Sequence, residues 1–272
     1  MNDHPPRIAL FVEASQPPEM RSSNALAQLW NGRLSAALGL PHFDPIVPIS
    51  KSNIVAMDPA RPRSAGAGEG LDQVMARSLA SHGFDCAVVA WDLVPKLDTT
   101  ADMCRWTETV ELYRLLAASD SLPNAWRLRA QARFEELVDR PQPSARATPL
   151  RPARNLVIPL CMEKMFESLL TVNEAAVRRA LGLHGRYVPG WPGHGWGDPN
   201  ERSPDNRVIG KAILAASRMR PKVAAIRRVG GTMRTNKHGW GEFLLRSLLD
   251  DPLAGPLVRD HTIAVRLRET LG

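Results

Sequence analysis

The chain has 272 residues, of which 44% are hydrophobic and 23% are charged. This length and composition suit one or two globular domains and exclude a chain that is disordered throughout. The formal net charge of +7 comes mostly from arginine, which favours a polyanionic partner such as nucleic acid. No apolar run approaches the roughly 18 residues of a membrane span, and the first residues lack a signal-peptide pattern. We therefore expect a cytoplasmic protein without a membrane partner.

Two apolar runs in the first hundred residues each end in an acid. Residues 8–12 precede Glu13, and residues 86–91 precede Asp92. Continuous apolar runs of this length are typical of strands buried on both faces, as in a parallel sheet. Helical spacing predicts helices over about 23–38 and 71–82, which end at Gly39 and Gly83. Residues 46–49 and 53–56 have β-like composition, and Pro48 places the first of these at a sheet edge or in an irregular strand.

The second half of the chain contains one more strand pattern among helical ones. Helices are predicted over 99–118 and 122–138, followed by a proline- and arginine-rich connection over 140–154. A strand over 155–160 leads into a helical stretch over 162–170, and a further helix over 174–181 ends at Gly182. Residues 184–206 form a long loop, after which the chain is expected to be helical. Breaks are predicted at Pro221, Gly230, Gly231, Pro252 and Pro256.

These patterns predict an α/β domain over residues 1–182, with a helical insertion at about 99–154. A mainly helical C-terminal extension would occupy residues 183–272. The sequence leaves open whether that extension forms a separate unit or packs on the sheet.

The acids at the two strand ends are candidate metal ligands. Ligands of open parallel sheets bind outside the carboxyl ends of the strands, where the strand order switches. If the two strands are neighbours, Glu13 and Asp92 converge there, and convergent carboxylates call for a cation. Oxygen ligands of this kind suit Mg²⁺ or Mn²⁺. The alternative is that both acids cap helices or face a loop.

Two further acids follow the third predicted strand. Glu163 and Glu167 are one helical turn apart, so they would share one face at the start of a helix. There they would add to the metal ligands. The alternative is a carboxylate pair on the surface near Lys164 and Arg179.

The order of these motifs resembles a known fold. The segments IALFVE, AVVAWD and NLVIPLCMEKMFESLL are similar to the acid-bearing strands and helix of the TOPRIM fold of topoisomerases, primases and OLD-type nucleases. The segment MFESLLTVNEAAVRRALG resembles part of a bacterial family of TOPRIM-like proteins that are associated with ATPases and phage defence. The resemblance covers residues 7–182 in outline. It implies a Rossmann-like, mostly parallel sheet flanked by helices, with a catalytic role for Glu13, Asp92 and Glu167.

The chain departs from the TOPRIM pattern at two positions. Val94 stands where the second aspartate of an Asp-x-Asp pair is expected, and Ala14 replaces the glycine that normally follows the first glutamate. Asp98 or Glu163 would have to compensate for the lost ligand. Three functions are therefore considered. The first is a metal-dependent nuclease for DNA or RNA in an anti-phage system. The second is a degenerate subunit that binds an ATPase partner or nucleic acid, and the third is a plain nucleic-acid-binding module.

A basic and aromatic cluster near the C-terminus is a candidate nucleic-acid surface. Such a mixture can contact phosphates while an indole stacks on a base. The alternative is a solvated glycine-rich turn with the tryptophan in the core. The candidate residues are Arg227, Arg228, Arg234, Lys237 and Trp240, with His238 among them.

Overall fold

A computed structural model of the chain describes residues 6–13, 28–57, 68–92, 106–139, 157–162, 166–198, 201, 203–220 and 237–271. Its centre is a sheet of four parallel strands: β1 (Ile8–Glu13), β2 (Phe43–Ile49), β3 (Cys86–Asp92) and β4 (Val157–Met162). The strand order is β2-β1-β3-β4. The predicted α/β class, with a parallel sheet flanked by helices, is therefore confirmed.

Both faces of the sheet are buried, as the continuous apolar runs predicted. Along β1, Leu10 and Val12 belong to one core cluster, whereas Ala9 and Phe11 belong to another. Successive side chains of a strand point to opposite faces, so the two clusters are the cores above and below the sheet. The protein thus has three layers, with helices on both sides of the strands.

One layer covers the face of Ala9 and Phe11. It consists of α2 (Lys51–Val55), α3 (Leu71–His82), α4 (Trp106–Ala117) and α5 (Asn124–Val138). Helices α4 and α5 occupy the region predicted as a helical insertion, and residues 99–105 and 140–154 of that region lie outside the described residues.

The other layer covers the face of Leu10 and Val12. It begins with α1, which is π-helical over Gln28–Leu34 and α-helical over Ser35–Leu38, and includes a 3₁₀ helix at Phe166–Leu170. The remaining helices are α6 (Glu174–Ala180), α7 (π-helical over Pro204–Gly210, α-helical over Lys211–Met219), α8 (Lys237–Asp250), α9 (Ala254–Asp260) and α10 (Thr262–Leu271).

The C-terminal helices share a core with the sheet. Ile213, Leu244 and Leu267 lie in the same buried cluster as Leu10 and Val88. The C-terminal helices therefore pack on the sheet, which the sequence had left open. The division at residue 182 stays a prediction.

Three sequence-based expectations differ from the structure. Residues 53–55 are helical rather than extended, because they belong to α2. Met162 is the last residue of β4 and not the start of a helix. Pro256 lies in the first turn of α9 and does not break it, since backbone N–H groups in a first turn have no partner within the helix. The breaks predicted at Pro221, Gly230 and Gly231 lie outside the described residues.

Among the described residues, no helix combines the length and the apolar character that crossing a membrane requires.

Candidate functional site at the carboxyl edge of the sheet

The two strands that end in acids are neighbours. Strand β1 pairs with β3 in parallel, with Val12 opposite Ala90. Glu13 is the next residue of β1, and Asp92 is two residues beyond Ala90 in β3. Both acids therefore lie at the carboxyl edge of the sheet, and the adjacency of their strands, which the sequence left as a condition of the metal site, is met.

This edge also contains the switch in strand order. From β1 the chain passes through α1 to β2 on one side, and from β2 it passes through α2 and α3 to β3 on the other side. Helix α1 packs on one face of the sheet, and α2 and α3 pack on the opposite face. When consecutive connections run over opposite faces of a sheet, a crevice forms at the carboxyl ends of the two strands where the order switches, here β1 and β3. Ligands of open α/β sheets bind in such crevices.

The surroundings of Glu13 are described more fully than those of Asp92. Glu13 is partly buried and lies opposite Ile49, the last residue of β2. Ser50 follows directly and caps α2, where its side chain accepts a hydrogen bond from the Asn53 backbone N–H. Asp92 lies opposite Met162 of β4, and its strand position alone is described.

Glu167 lies in the 3₁₀ helix that follows β4 and is partly buried. The next residue, Ser168, is buried, and its hydroxyl makes no hydrogen bond within the described part of the chain. Leu169 and Leu170 hold this helix in the same core as Val12. Glu163 lies outside the described residues, so its spacing from Glu167 stays a prediction.

The donor types fit a hard divalent cation. Carboxylate oxygens are the ligands that Mg²⁺ and Mn²⁺ take in proteins. Within the part of the chain that the structure describes, no three His, Cys, Asp or Glu side chains lie close enough together to hold a metal ion. Glu13 and Glu167 are both in that part of the chain. A complete site would therefore need Asp92 or Glu163.

The predicted nucleic-acid surface is described only in part. Arg227, Arg228 and Arg234 lie outside the described residues. Lys237 is the first residue of α8, and Trp240 lies in its first turn. The structure therefore does not test whether these side chains form one surface.

Sequence reasoning missed a layered arrangement of aromatic and charged side chains beside α6. Trp191 and Trp196 stack with ring centroids 5.6 Å apart, and the Arg178 guanidinium lies 4.3 Å from the Trp191 ring centroid. Both tryptophans stood out in the sequence, but nothing there indicated that they pair with each other or with Arg178.

Comparison with known proteins gives no independent support for a family. The TOPRIM-like resemblance therefore stays a prediction that rests on the motifs themselves. No protein-family model, no curated protein and no solved structure matches the chain.

Proposed function

We propose that this chain is a metal-dependent nuclease that hydrolyses phosphodiester bonds of DNA or RNA. One observation supports the proposal most strongly. The adjacent parallel strands β1 and β3 end in Glu13 and Asp92, at the edge where the order of the sheet switches. Ligands of open α/β sheets bind at such an edge, and carboxylates there are the ligands that a divalent cation prefers. In the strand alternation Glu13 stands at a position of the face of Ala9 and Phe11, and Asp92 at a position of the face of Val88 and Ala90, so the two acids would meet a cation around the ends of their strands.

In the proposed site, Glu13 and Asp92 hold Mg²⁺ or Mn²⁺, and Glu167 and Glu163 are the candidates for further ligands. A bound ion of this type polarises a phosphate oxygen and lowers the pKa of an attacking water. The chain supplies positive charge for a polyanionic substrate, since its formal net charge is +7. The resemblance to TOPRIM-like proteins adds a setting, namely an anti-phage system with an ATPase partner.

A cleavage assay tests this function directly. The full chain is incubated with end-labelled single-stranded and double-stranded DNA and RNA, with Mn²⁺ or with EDTA. We expect cleavage in Mn²⁺ and none in EDTA. Glu13→Gln and Asp92→Asn should each lower the rate by about 100-fold or more, because metal-derived stabilisation of the transition state amounts to several kcal/mol.

The matched control is Glu135→Gln, because Glu135 is an exposed acid on α5 and was not predicted to be a metal ligand. It removes the same charge and should cleave at the wild-type rate. Full activity of Glu13→Gln, or cleavage that persists in EDTA, would contradict the proposed site.

A second candidate function is a catalytically silent subunit that binds an ATPase or nucleic acid. Two observations favour it. Among the described residues, no three His, Cys, Asp or Glu side chains lie close enough together to hold a metal ion, and Val94 stands where the TOPRIM pattern has an aspartate. This candidate predicts no metal-dependent turnover on any of the substrates above. It also predicts that a partner protein copurifies in stoichiometric amount.

A further inference from the structure

Residues 183–198, which we name the tryptophan loop, contain no helix or strand but are held to the rest of the fold by buried side chains and hydrogen bonds. Leu183 and Val188 are buried in the core that covers the sheet. The Gly197 N–H donates to the Thr171 carbonyl oxygen at 2.7 Å. The loop is therefore anchored at both ends, and its second anchor lies four residues after Glu167.

One carboxylate holds the aromatic stack of this loop against α6. Glu174 Oε1 accepts hydrogen bonds from Trp191 Nε1 and from Arg178 Nε, each at 2.8 Å. Arg178 Nη1 also donates to the Arg186 carbonyl oxygen at 3.2 Å. The stack thus fixes the backbone of Arg186, which precedes the exposed part of the loop.

The outer side of the loop is aromatic and positively charged. Tyr187 is 85% exposed, although it lies between the fixed backbone of Arg186 and the buried Val188. The Arg218 guanidinium also borders the loop, with Nη1 3.8 Å from the position that a Cβ atom would take at Gly190. Arg186 and Arg218 are both exposed, and neither forms an ion pair with a carboxylate of the described chain.

This combination favours one class of partner. Exposed guanidinium groups attract phosphates, and an exposed aromatic ring on an anchored backbone offers a face on which an unpaired base can stack. In a duplex the base faces are hidden within the helical stack. The carboxylates of an acidic peptide would pair with the guanidinium groups but offer no base to stack on the tyrosine ring. Tyr187 and Gly190 are three positions apart in the chain, so their Cα atoms lie within about 10 Å of each other, and the Arg218 guanidinium lies beside Gly190.

We propose that the tryptophan loop binds single-stranded nucleic acid, with Tyr187 stacking on a base and with Arg186 and Arg218 contacting phosphates. This proposal names the substrate class of the nuclease proposed above. Binding itself requires neither a metal ion nor hydrolysis. The anchor at Thr171 places the loop beside the 3₁₀ helix that carries Glu167.

The test measures fluorescence anisotropy of a fluorescein-labelled 20-nucleotide oligothymidylate with the full chain in EDTA. We expect Tyr187→Ala to weaken binding about tenfold or more and Tyr187→Phe to retain it within about twofold, because stacking on the ring is retained. Arg218→Gln should lower the slope of log K against log salt by about 0.7, the contribution of one phosphate contact.

Two neighbouring residues on α5, on the opposite face of the sheet, supply the controls. Leu128→Ala removes an exposed apolar side chain, and Arg129→Gln removes an exposed positive charge. Both should bind like the wild type. Melting temperatures of all variants establish that a loss of binding does not come from unfolding.

Several results would overturn the proposal. They are no binding by the wild type, equal binding by Tyr187→Ala, equal binding of a 20-base-pair duplex, or displacement of the oligonucleotide by polyglutamate as readily as by unlabelled oligothymidylate. Binding without metal-dependent cleavage would refute the nuclease and leave the loop proposal standing, and cleavage with unchanged binding by Tyr187→Ala would do the reverse.

Discussion

Tyr113 shows how a single side chain joins two parts of the fold. It lies in α4, is fully buried, and donates a hydrogen bond from its hydroxyl to the Val157 carbonyl oxygen at 2.6 Å. The same hydroxyl accepts from the Val157 N–H at 3.2 Å. In the described part of the chain β4 is an edge strand, so Tyr113 supplies hydrogen bonds to its first residue on the side where no described strand pairs with it. The partners are 44 residues apart, so no local pattern in the sequence indicated the contact.

Removing this hydroxyl should destabilise the protein and change its response to alkaline pH. Tyr113→Phe is expected to lower the free energy of unfolding by about 1–2 kcal/mol, since two buried backbone groups lose a partner. Burial raises the pKa of Tyr113 from 10.0 to about 12. Between these values the unfolded chain loses a proton that the folded chain keeps, so stability falls as pH rises, by about 1.4 kcal/mol per pH unit for one group.

Urea unfolding of both proteins between pH 8 and 12 checks this prediction. The wild type should lose stability from about pH 9, because burial also raises the pKa of Cys86 from 9.0 to about 11. Tyr113→Phe should show a shallower loss between pH 10 and 12. Parallel curves for the two proteins would be inconsistent with the assigned role of the hydroxyl.

At the scale of elements, the sequence predicted the strands and helix ends that depend on neighbouring residues alone. Strands β1 and β3 were visible as apolar runs that end in acids, and α1 and α3 end where Gly39 and Gly83 adopt positive φ angles. Helix α2 was mistaken for a strand because its β-branched residues carry the opposite preference. The capping box formed by Ser50 and Asn53 outweighs that preference, and it was the signal that could have identified the helix.

The joint between α6, α8 and α9 depends on one carboxylate that the sequence did not single out. Asp251 accepts from Arg179 Nε at 2.9 Å and from Nη2 at 2.6 Å, and its side chain is 11% exposed. It also accepts from the backbone N–H groups of Leu253 and Ala254 at the start of α9. Burial opposes ionisation of Asp251, but the hydrogen bonds from Arg179 and from the two N–H groups outweigh it and lower its pKa.

Asp251→Ala should therefore destabilise the protein by about 2 kcal/mol, through loss of the ion pair and of the cap. Asp250→Ala is the matched control. Asp250 forms an ion pair with Arg33, and both side chains are about half exposed. Its removal should therefore lower the free energy of unfolding by about 0.5 kcal/mol or less.

Thermal unfolding at pH 7 and at pH 3 measures both effects. A carboxyl with a lowered pKa stabilises the fold above its ordinary value of 3.8, and this stabilisation is lost as pH falls through the folded pKa. The two variants should therefore differ less at pH 3. An equal loss for both variants at pH 7 would contradict the role given to Asp251.

At the scale of the whole molecule, the candidate site depends on features that the sequence contained only in part. The acids at the strand ends could be predicted, because each ends an apolar run. The adjacency of β1 and β3, and the helical layers on opposite faces of the sheet, required the structure. They arise from long-range pairing and packing, which local patterns do not encode. The tryptophan loop was visible by composition, but its stack and its anchors were not.

The most direct test of the account is a calorimetric titration of Mn²⁺ into the full chain, because it needs neither a substrate nor a partner. We predict a saturable heat of binding in the wild type and in Glu135→Gln, and loss of that heat in Glu13→Gln. Circular dichroism should show that all three proteins are folded alike. No heat in the wild type, or the same heat in Glu13→Gln as in the control, would contradict a cation site at the carboxyl edge of the sheet.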